Sequence, residues 1–189
     1  MTSLKLVDAL RRGGIAVIPT DTLYGIVARA LDKEAVARLY KLRRQTSHKP
    51  FIVLVSSLKD LAAFGVRPNA TQCVFLKKVW PGPVSVIFRC SSRKSSYLHL
   101  GTHSLAFRLP KSRRLVTLLK KTGPLVAPSA NREGEKPAET TTEAKEYFGT
   151  DVDVYVNGGR RRGEPSTLIS FVDEEPRIVR QGAAGIQSL

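Results

Sequence analysis

The sequence predicts a single α/β (α+β) domain spanning 1–189, a twisted mixed sheet with flanking helices. Three observations predict it. Short β-rich runs alternate with segments of helical periodicity. Several neighbouring strand candidates lack a crossover long enough for parallel pairing, so the sheet is mixed. Loops rich in hydroxyl, amide and glycine residues follow the strands, with cations distributed around them.

The elements follow in order. Leu4, Leu6, Val7 and Leu10 have helical spacing over 4–12, and Gly13-Gly14 end that helix. Ile15 to Ile18 is a strand closed by Pro19, followed by a loop and a helix from Lys33 to Arg44 with Ala35, Val36, Leu39 and Tyr40 on one face. Phe51 to Val55 reads as a buried strand, and Ser57 to Asp60 as a capping box opening a short helix through Phe64. Asn69 caps a helix to Val79, which Trp80-Pro81-Gly82-Pro83 forbids from continuing. Val84 to Phe88 and Leu105 to Leu109 are strands separated by a polar, flexible loop. A helix from Arg113 to Lys121, a strand from Pro124 to Ala127 and a helix from Thr142 to Phe148 come next. Strands at Val152 to Val156, Thr167 to Val172 and Arg177 to Val179 complete the set.

Composition excludes several classes. With 42% hydrophobic residues the chain is globular rather than disordered. No stretch approaches the roughly 20 apolar residues that span a bilayer, and Met1 to Arg12 lacks the apolar block of a signal peptide, so a cytoplasmic protein without a membrane partner is expected. Cys73 and Cys90 sit in no CxxC or Cys/His pattern, which points to free thiols and no protein-held metal.

The formal charge of +15 implies attraction to polyanions such as nucleotides or RNA. It concentrates in Lys41 to Lys49, Arg89 to Lys94, Lys111 to Arg114 and Arg160 to Arg162. Three strand-end loops carry the polar side chains: Pro19 to Gly25, Pro128 to Gly134, and Gly158 through Thr167. Such loops of α/β proteins converge on one crevice, where short hydroxyl and amide groups suit a small polar ligand. Lys41, Arg43, Arg44, Lys49, Arg108 and Arg180 form a candidate anion clamp for a nucleoside triphosphate. The usual nucleotide fingerprints, Walker loop and GxGxxG, are missing, and His48, His99 and His103 show no pattern of a general base.

Together these segments resemble the YrdC family of threonylcarbamoyl-AMP synthases over about Val7 to Gly182. The opening PT[DE]TxYGL element appears as Pro19 to Ile26, K-x-R as Lys41-Leu42-Arg43, and the K/N-P-L step as Lys49-Pro50-Phe51. WPGP is Trp80 to Pro83, R-x-P is Arg108 to Pro110, and SAN is Ser129 to Asn131. The closing elements match Gly163 to Ile169 and Val179 to Gly182. The stretch from Lys41 to Lys49 is about two residues longer than the family's KxRPxxxP spacing, which leaves Arg43 and Arg44 both available for the arginine role. Arg132-Glu133-Gly134 stands where Ser-Gly is common.

The resemblance implies an open twisted sheet around a basic cavity, and a nucleotidyltransferase that forms threonylcarbamoyl-AMP and pyrophosphate from L-threonine, bicarbonate and ATP, for modification of tRNA by a partner transferase complex. It implies that Thr20, Arg108 and Ser166 bind threonine or its carbamate. Lys41, Arg43, Lys49, Ser104, Ser129, Asn131, Thr140 and Arg180 are then expected around ATP, with Lys41 and Arg43 catalytic and Mg2+ held by the phosphates and water. Two alternatives remain open: an RNA-binding protein gripping phosphates through Arg160 to Arg162, and a paralogue with another carbamoyl-like substrate.

Overall fold

The computed structural model describes residues 3–47, 49–173 and 175–186, so His48 lies outside it. In chain order the elements are α1 (Leu4–Arg11), β1 (Ala16–Pro19), β2 (Tyr24–Arg29), α2 (Lys33–Leu42), β3 (Val53–Leu54) and α3 (Ala70–Val79). They continue with β4 (Val84–Arg89), α4 (Ser96–His99), β5 (Ser104–Arg108), α5 (Arg113–Thr122) and β6 (Leu125–Val126). The last are α6 (Thr141–Phe148), β7 (Val154–Tyr155), β8 (Thr167–Phe171) and β9 (Arg177–Arg180). Side chains start the helices where the sequence signals it. Ser3, Asp32 and Ser112 accept from the backbone N–H three residues on, and Asn69 and Gln72 satisfy each other's backbone N–H.

Among the described residues the strands form one sheet in the order β7-β1-β2-β6-β3-β5-β4-β8-β9. Parallel pairs β1/β7, β3/β5 and β4/β8 are interspersed with five antiparallel ones, which makes the sheet mixed as expected. Period-two alternation gives the sheet two different faces. On one, Ile15, Val17, Tyr24, Ile26, Val53, Val86, Phe107 and Ile169 build the larger core with α2, α3 and α6. On the other, Ala16, Ile18, Val27, Leu54 and Leu125 pack against Leu6, Val7 and Leu10 of α1 and Leu115, Leu118 and Leu119 of α5. These two helices cover only part of that face. The uncovered part, over β4, β5 and β8, becomes the floor of a cavity.

Several elements depart from expectation, and the strands expected at Phe51 to Val55 and Pro124 to Ala127 shorten to the two residues of β3 and β6. The segment assigned to a loop after Pro19 contains β2, whose Tyr24 to Ala28 are buried. It forms a hairpin with β1, and it lies centrally in the sheet between β1 and β6. Its apolar run on both faces lacks the alternation that marks a half-exposed strand. The polar stretch between β4 and β5 is not a free loop: it folds through a 3₁₀ turn into α4, buries Leu98 and His99, and the Tyr97 hydroxyl donates to the Ala30 carbonyl at 2.8 Å. The strand expected over Val152 to Val156 is confined to β7, because a 3₁₀ turn at Gly149–Asp151 follows α6 directly.

Candidate functional site

The cavity of about 870 Å³ opens above the uncovered sheet face. Residues that alternate with the core positions of the strands reach it: Ser104, Ala106 and Arg108 from β5, Ile87 from β4 and Leu168 from β8. Loops at the strand ends supply the walls. The β1–β2 hairpin contributes Thr20 and Thr22, the segment after β6 contributes Ser129 and Asn131, and the strap before β8 contributes Ser166. The three polar loops thus meet in one place.

The deepest charge is Arg108, 4% exposed. Its Nη2 lies 3.4 Å from Asp21 Oδ1, and its Nη1 donates to Thr22 Oγ1 at 3.1 Å, while its Nε has no partner. Burial pulls this guanidinium below its ordinary pKa, and Asp21 opposes the shift. Thr20 Oγ1 donates to the Leu23 carbonyl at 2.6 Å and accepts from Thr22 N–H, which fixes the hairpin turn. Ser166 Oγ is 2.8 Å from Ser85 Oγ, and the Ser166 carbonyl accepts from Arg180 Nη2 at 2.9 Å. Backbone closeness explains two motif glycines: a Cβ on Gly163 would meet the Thr22 carbonyl oxygen at 2.8 Å, and one on Gly182 would overlap the Pro165 carbonyl. Tyr24 ties down the same strap, its hydroxyl accepting from Gly158 N–H and donating to the Gly159 carbonyl.

The other half of the wall follows α2. After Leu42 the chain leaves the helix, and Arg43, Gln45, Ser47 and Lys49 all line the cavity at a spacing of two. Arg43 is 8% exposed; its Nε donates to the Asn131 carbonyl at 3.0 Å and its Nη1 to Gln45 Oε1. Burial pulls its pKa down, against the raising effects of Glu133 and Tyr40. Glu133 crosses from the opposite loop and its carboxylate accepts from Thr46 N–H, Ser47 N–H and both hydroxyls. Those donors hold the Glu133 carboxyl down at about 2. Asn131 donates both amide hydrogens to the Arg132 and Glu135 carbonyls, leaving its buried Oδ1 without a donor.

Thr20, Arg43, Lys49, Ser104, Arg108, Ser129, Asn131, Ser166 and Arg180 therefore share one cavity. Lys41 and Thr140 do not. Lys41 lies on the opposite, exposed side of α2 and lines a separate depression with Arg44, because it falls within the helix and only the residues after Leu42 turn inward. Thr140 is the N-cap of α6, its Oγ1 accepting from Glu143 N–H at 3.2 Å, so its hydroxyl serves the helix end. Asp21, Gln45, Ser47 and Glu133 were missed as site residues. Gln45 and Ser47 had a signal in the two-residue excess between Lys41 and Lys49, which disappears when the K-x-R element starts at Arg43.

Two of the three arginines in the run Arg160 to Arg162 are engaged by one carboxylate. Arg160 and Arg162 pair with Glu139 at 2.7 and 3.2 Å, which holds that carboxyl down at about 2. His99 is buried, with Nδ1 accepting from Gly101 N–H, and lies outside the cavity. Among the described residues no group of three His, Cys, Asp or Glu side chains is arranged to hold a metal, and no helix is long and apolar enough to cross a membrane. Cys73 and Cys90 are free.

The sequence profile of the Sua5/YciO/YrdC family, described as telomere recombination, matches residues 8–182. The chain belongs to this family. A threonylcarbamoyl-AMP synthase of Bacillus subtilis is 32% identical over 180 residues, covering 92% of this chain and 51% of that protein. One of Thiobacillus denitrificans is 31% identical over 163 residues, covering 86% and 87% respectively. The solved structure of Pyrococcus abyssi Sua5 complexed with L-threonine superposes with a TM-score of 0.86 at 27% identity, over 94% of this chain and 53% of that one. The chain thus spans about half the length of the Bacillus and Pyrococcus proteins. Within the Sua5/YciO/YrdC pattern, moving K-x-R to Arg43-Arg44-Gln45 restores the family's spacing to Pro50 and puts Gln45 at the arginine position.

Proposed function

We propose that the chain is a threonylcarbamoyl-AMP synthase, forming the mixed anhydride and pyrophosphate from L-threonine, bicarbonate and ATP. The observation that carries this reading is the meeting of Thr20, Arg108 and Ser166 with Arg43, Lys49, Ser129, Asn131 and Arg180 in one cavity. Relatives named for this activity, and the Sua5 structure holding L-threonine, support it. In this reading the threonine amine attacks bicarbonate and water leaves, giving a carbamate. A carbamate oxygen then forms a bond to the α-phosphorus of ATP as the bond to the β-phosphate bridging oxygen breaks, and pyrophosphate departs.

The chain's own groups supply positioning and charge rather than a dedicated base. Arg108, held by Asp21, faces the amino-acid carboxylate together with Thr20 and Ser166. Arg43, Lys49 and Arg180 neutralise the phosphates; a bound triphosphate gives the buried Arg43 an anionic partner, while Lys49 and Arg180 are exposed. Asn131 Oδ1 is an open acceptor for a ribose hydroxyl or adenine amino group, with Ser104 and Ser129 beside it on the wall. Mg2+ would be held mainly by triphosphate oxygens and water, with Glu133 and Glu135 the carboxylates on the cavity wall, and would supply positive charge toward the departing pyrophosphate.

The product would pass to a transferase acting on tRNA in the cytoplasm. Purified protein should release pyrophosphate from ATP only when both threonine and bicarbonate are present. Equal release with serine, or with no amino acid, defeats the assignment. Gln45 and Glu133, at positions where the family pattern has arginine and serine, favour a second reading, a paralogue taking another amino acid. Substituting each amino acid in the same assay separates the two.

A further inference from the structure

We propose that the outer side of α2 carries a second anion site, separate from the main cavity, which takes phosphate groups. A depression of about 460 Å³ there brings together Arg38, Lys41, Arg44 and Arg132, with Tyr147 and one carboxylate, Asp151. Arg38 is partly committed, donating to the Gly13 carbonyl at 3.3 Å and lying 3.8 Å from Asp153. Arg132 is oriented by its bond to the Tyr147 carbonyl at 2.9 Å. Among the described residues neither Lys41, Arg44 nor Arg132 forms an ion pair. Like charges gathered around one concavity repel, and an anionic ligand is what relieves that repulsion.

Cations at a helix C-terminus have a simpler explanation, the negative end of the helix dipole, and it accounts for Lys41 and Arg44. It does not account for Arg132, which comes from the loop after β6 on the far side of the depression. The same two loop segments make the wall of the main cavity. Arg43 faces inward and Arg44 outward; Asn131 faces inward and Arg132 outward. They are cross-linked by Arg43 Nε to the Asn131 carbonyl at 3.0 Å and by Glu133 N–H to the Arg43 carbonyl at 2.8 Å. A phosphate held outside thus sits one residue away from two groups of the inner site.

The ligand class follows from the donors. Lysine and guanidinium groups suit phosphate oxygens, and Tyr147 spends its hydroxyl on the Lys136 carbonyl, so no hydroxyl donor is left there to read a base. Phosphates reach such a site either in an RNA backbone, for which the charge of +15 provides long-range attraction, or as a free anion such as pyrophosphate.

The test uses the full chain and two variants, Lys41→Gln/Arg44→Asn at the C-terminal end of α2 and Arg132→Gln in the loop after β6. A labelled RNA duplex of mixed sequence is titrated at several salt concentrations, and pyrophosphate is titrated into the wild type and both variants, whose shared main-cavity binding cancels in the comparison. The double variant should weaken RNA binding by about tenfold and lower the log–log salt slope by about 1.5, with Arg132→Gln shifting both in the same direction. Loss of pyrophosphate binding alone in both variants assigns the site to free anions. ATP affinity and melting temperature serve as controls and should stay at wild-type values. If neither RNA nor pyrophosphate binding changes in either variant, the site does not exist. That outcome leaves the main-cavity reading untouched, because pyrophosphate release from ATP reports on it separately.

Discussion

The half of the main cavity around Arg108 and the half around Arg43 both present a buried arginine, yet they are held by different means. Arg108 projects from a strand in the middle of the sheet, and its counter-charge Asp21 is 11% exposed in the adjoining hairpin. Arg43 stands where α2 has ended, and its partners are a backbone carbonyl and the flexible Gln45 side chain. Around it the wall is two loops latched by Glu133 through hydroxyl and backbone donors, with no ion pair among the described residues. The first half is fixed by the sheet itself. The second is fixed by hydrogen bonds between two loops.

Arg108→Ala should break this contrast most visibly. Removing one partner of a buried ion pair costs about 3–5 kcal/mol and should lower the melting temperature by roughly 10 °C. The double variant Asp21→Ala/Arg108→Ala should recover part of that loss, since no unpaired charge remains; an equal or larger drop would show that Asp21 is not the partner that matters. Arg43→Ala should leave stability less affected and reduce kcat/KM for ATP by about 10- to 100-fold, the worth of one charge-assisted hydrogen bond set. Unchanged ATP kinetics would remove Arg43 from the phosphate end.

Smaller effects sharpen the same division. Ser166→Ala should raise the KM for threonine by about fivefold while the KM for ATP stays put, one neutral hydrogen bond being lost. Glu133 is a carboxylate whose value in the folded chain, about 2, lies below its ordinary 4.5. Its contribution is therefore complete above about pH 5 and is lost as the pH falls toward 2. Amide exchange at Thr46 and Ser47 should stay slow down to about pH 4, and Glu133→Gln should speed it at neutral pH. Lys41→Ala should change ATP turnover by less than about twofold, since the side chain faces away from the cavity.

The polar motifs were legible because each has a physical requirement that the sequence displays. Gly163 and Gly182 are glycine because backbone passes where a Cβ would sit, and Ser129 to Asn131 extend the pairing of β2 through the Pro128 and Tyr24 carbonyls. The strand β2 was not legible, since a strand buried on both faces shows no alternation and its neighbouring threonines read as a turn. The direction of Lys41 was also hidden. The K-x-R spelling fits Lys41-Leu42-Arg43 residue for residue while the spacing to Pro50 favours Arg43-Arg44-Gln45, and only the end of α2 at Leu42 decides which residues turn inward.

By itself the sequence determined the class of fold, the mixed character of the sheet, most of the helix starts and the family, all of which depend on local periodicity, capping and short motifs. The tertiary structure alone decided that α1 and α5 leave part of one sheet face bare, that Asp21 holds Arg108, that Glu133 latches the opposite loop, and that Arg160 and Arg162 are spent on Glu139. Each of these joins segments far apart in the chain. Which cation is neutralised and which is left open for a ligand depends on distances of a few ångströms between those segments, and no local pattern records them.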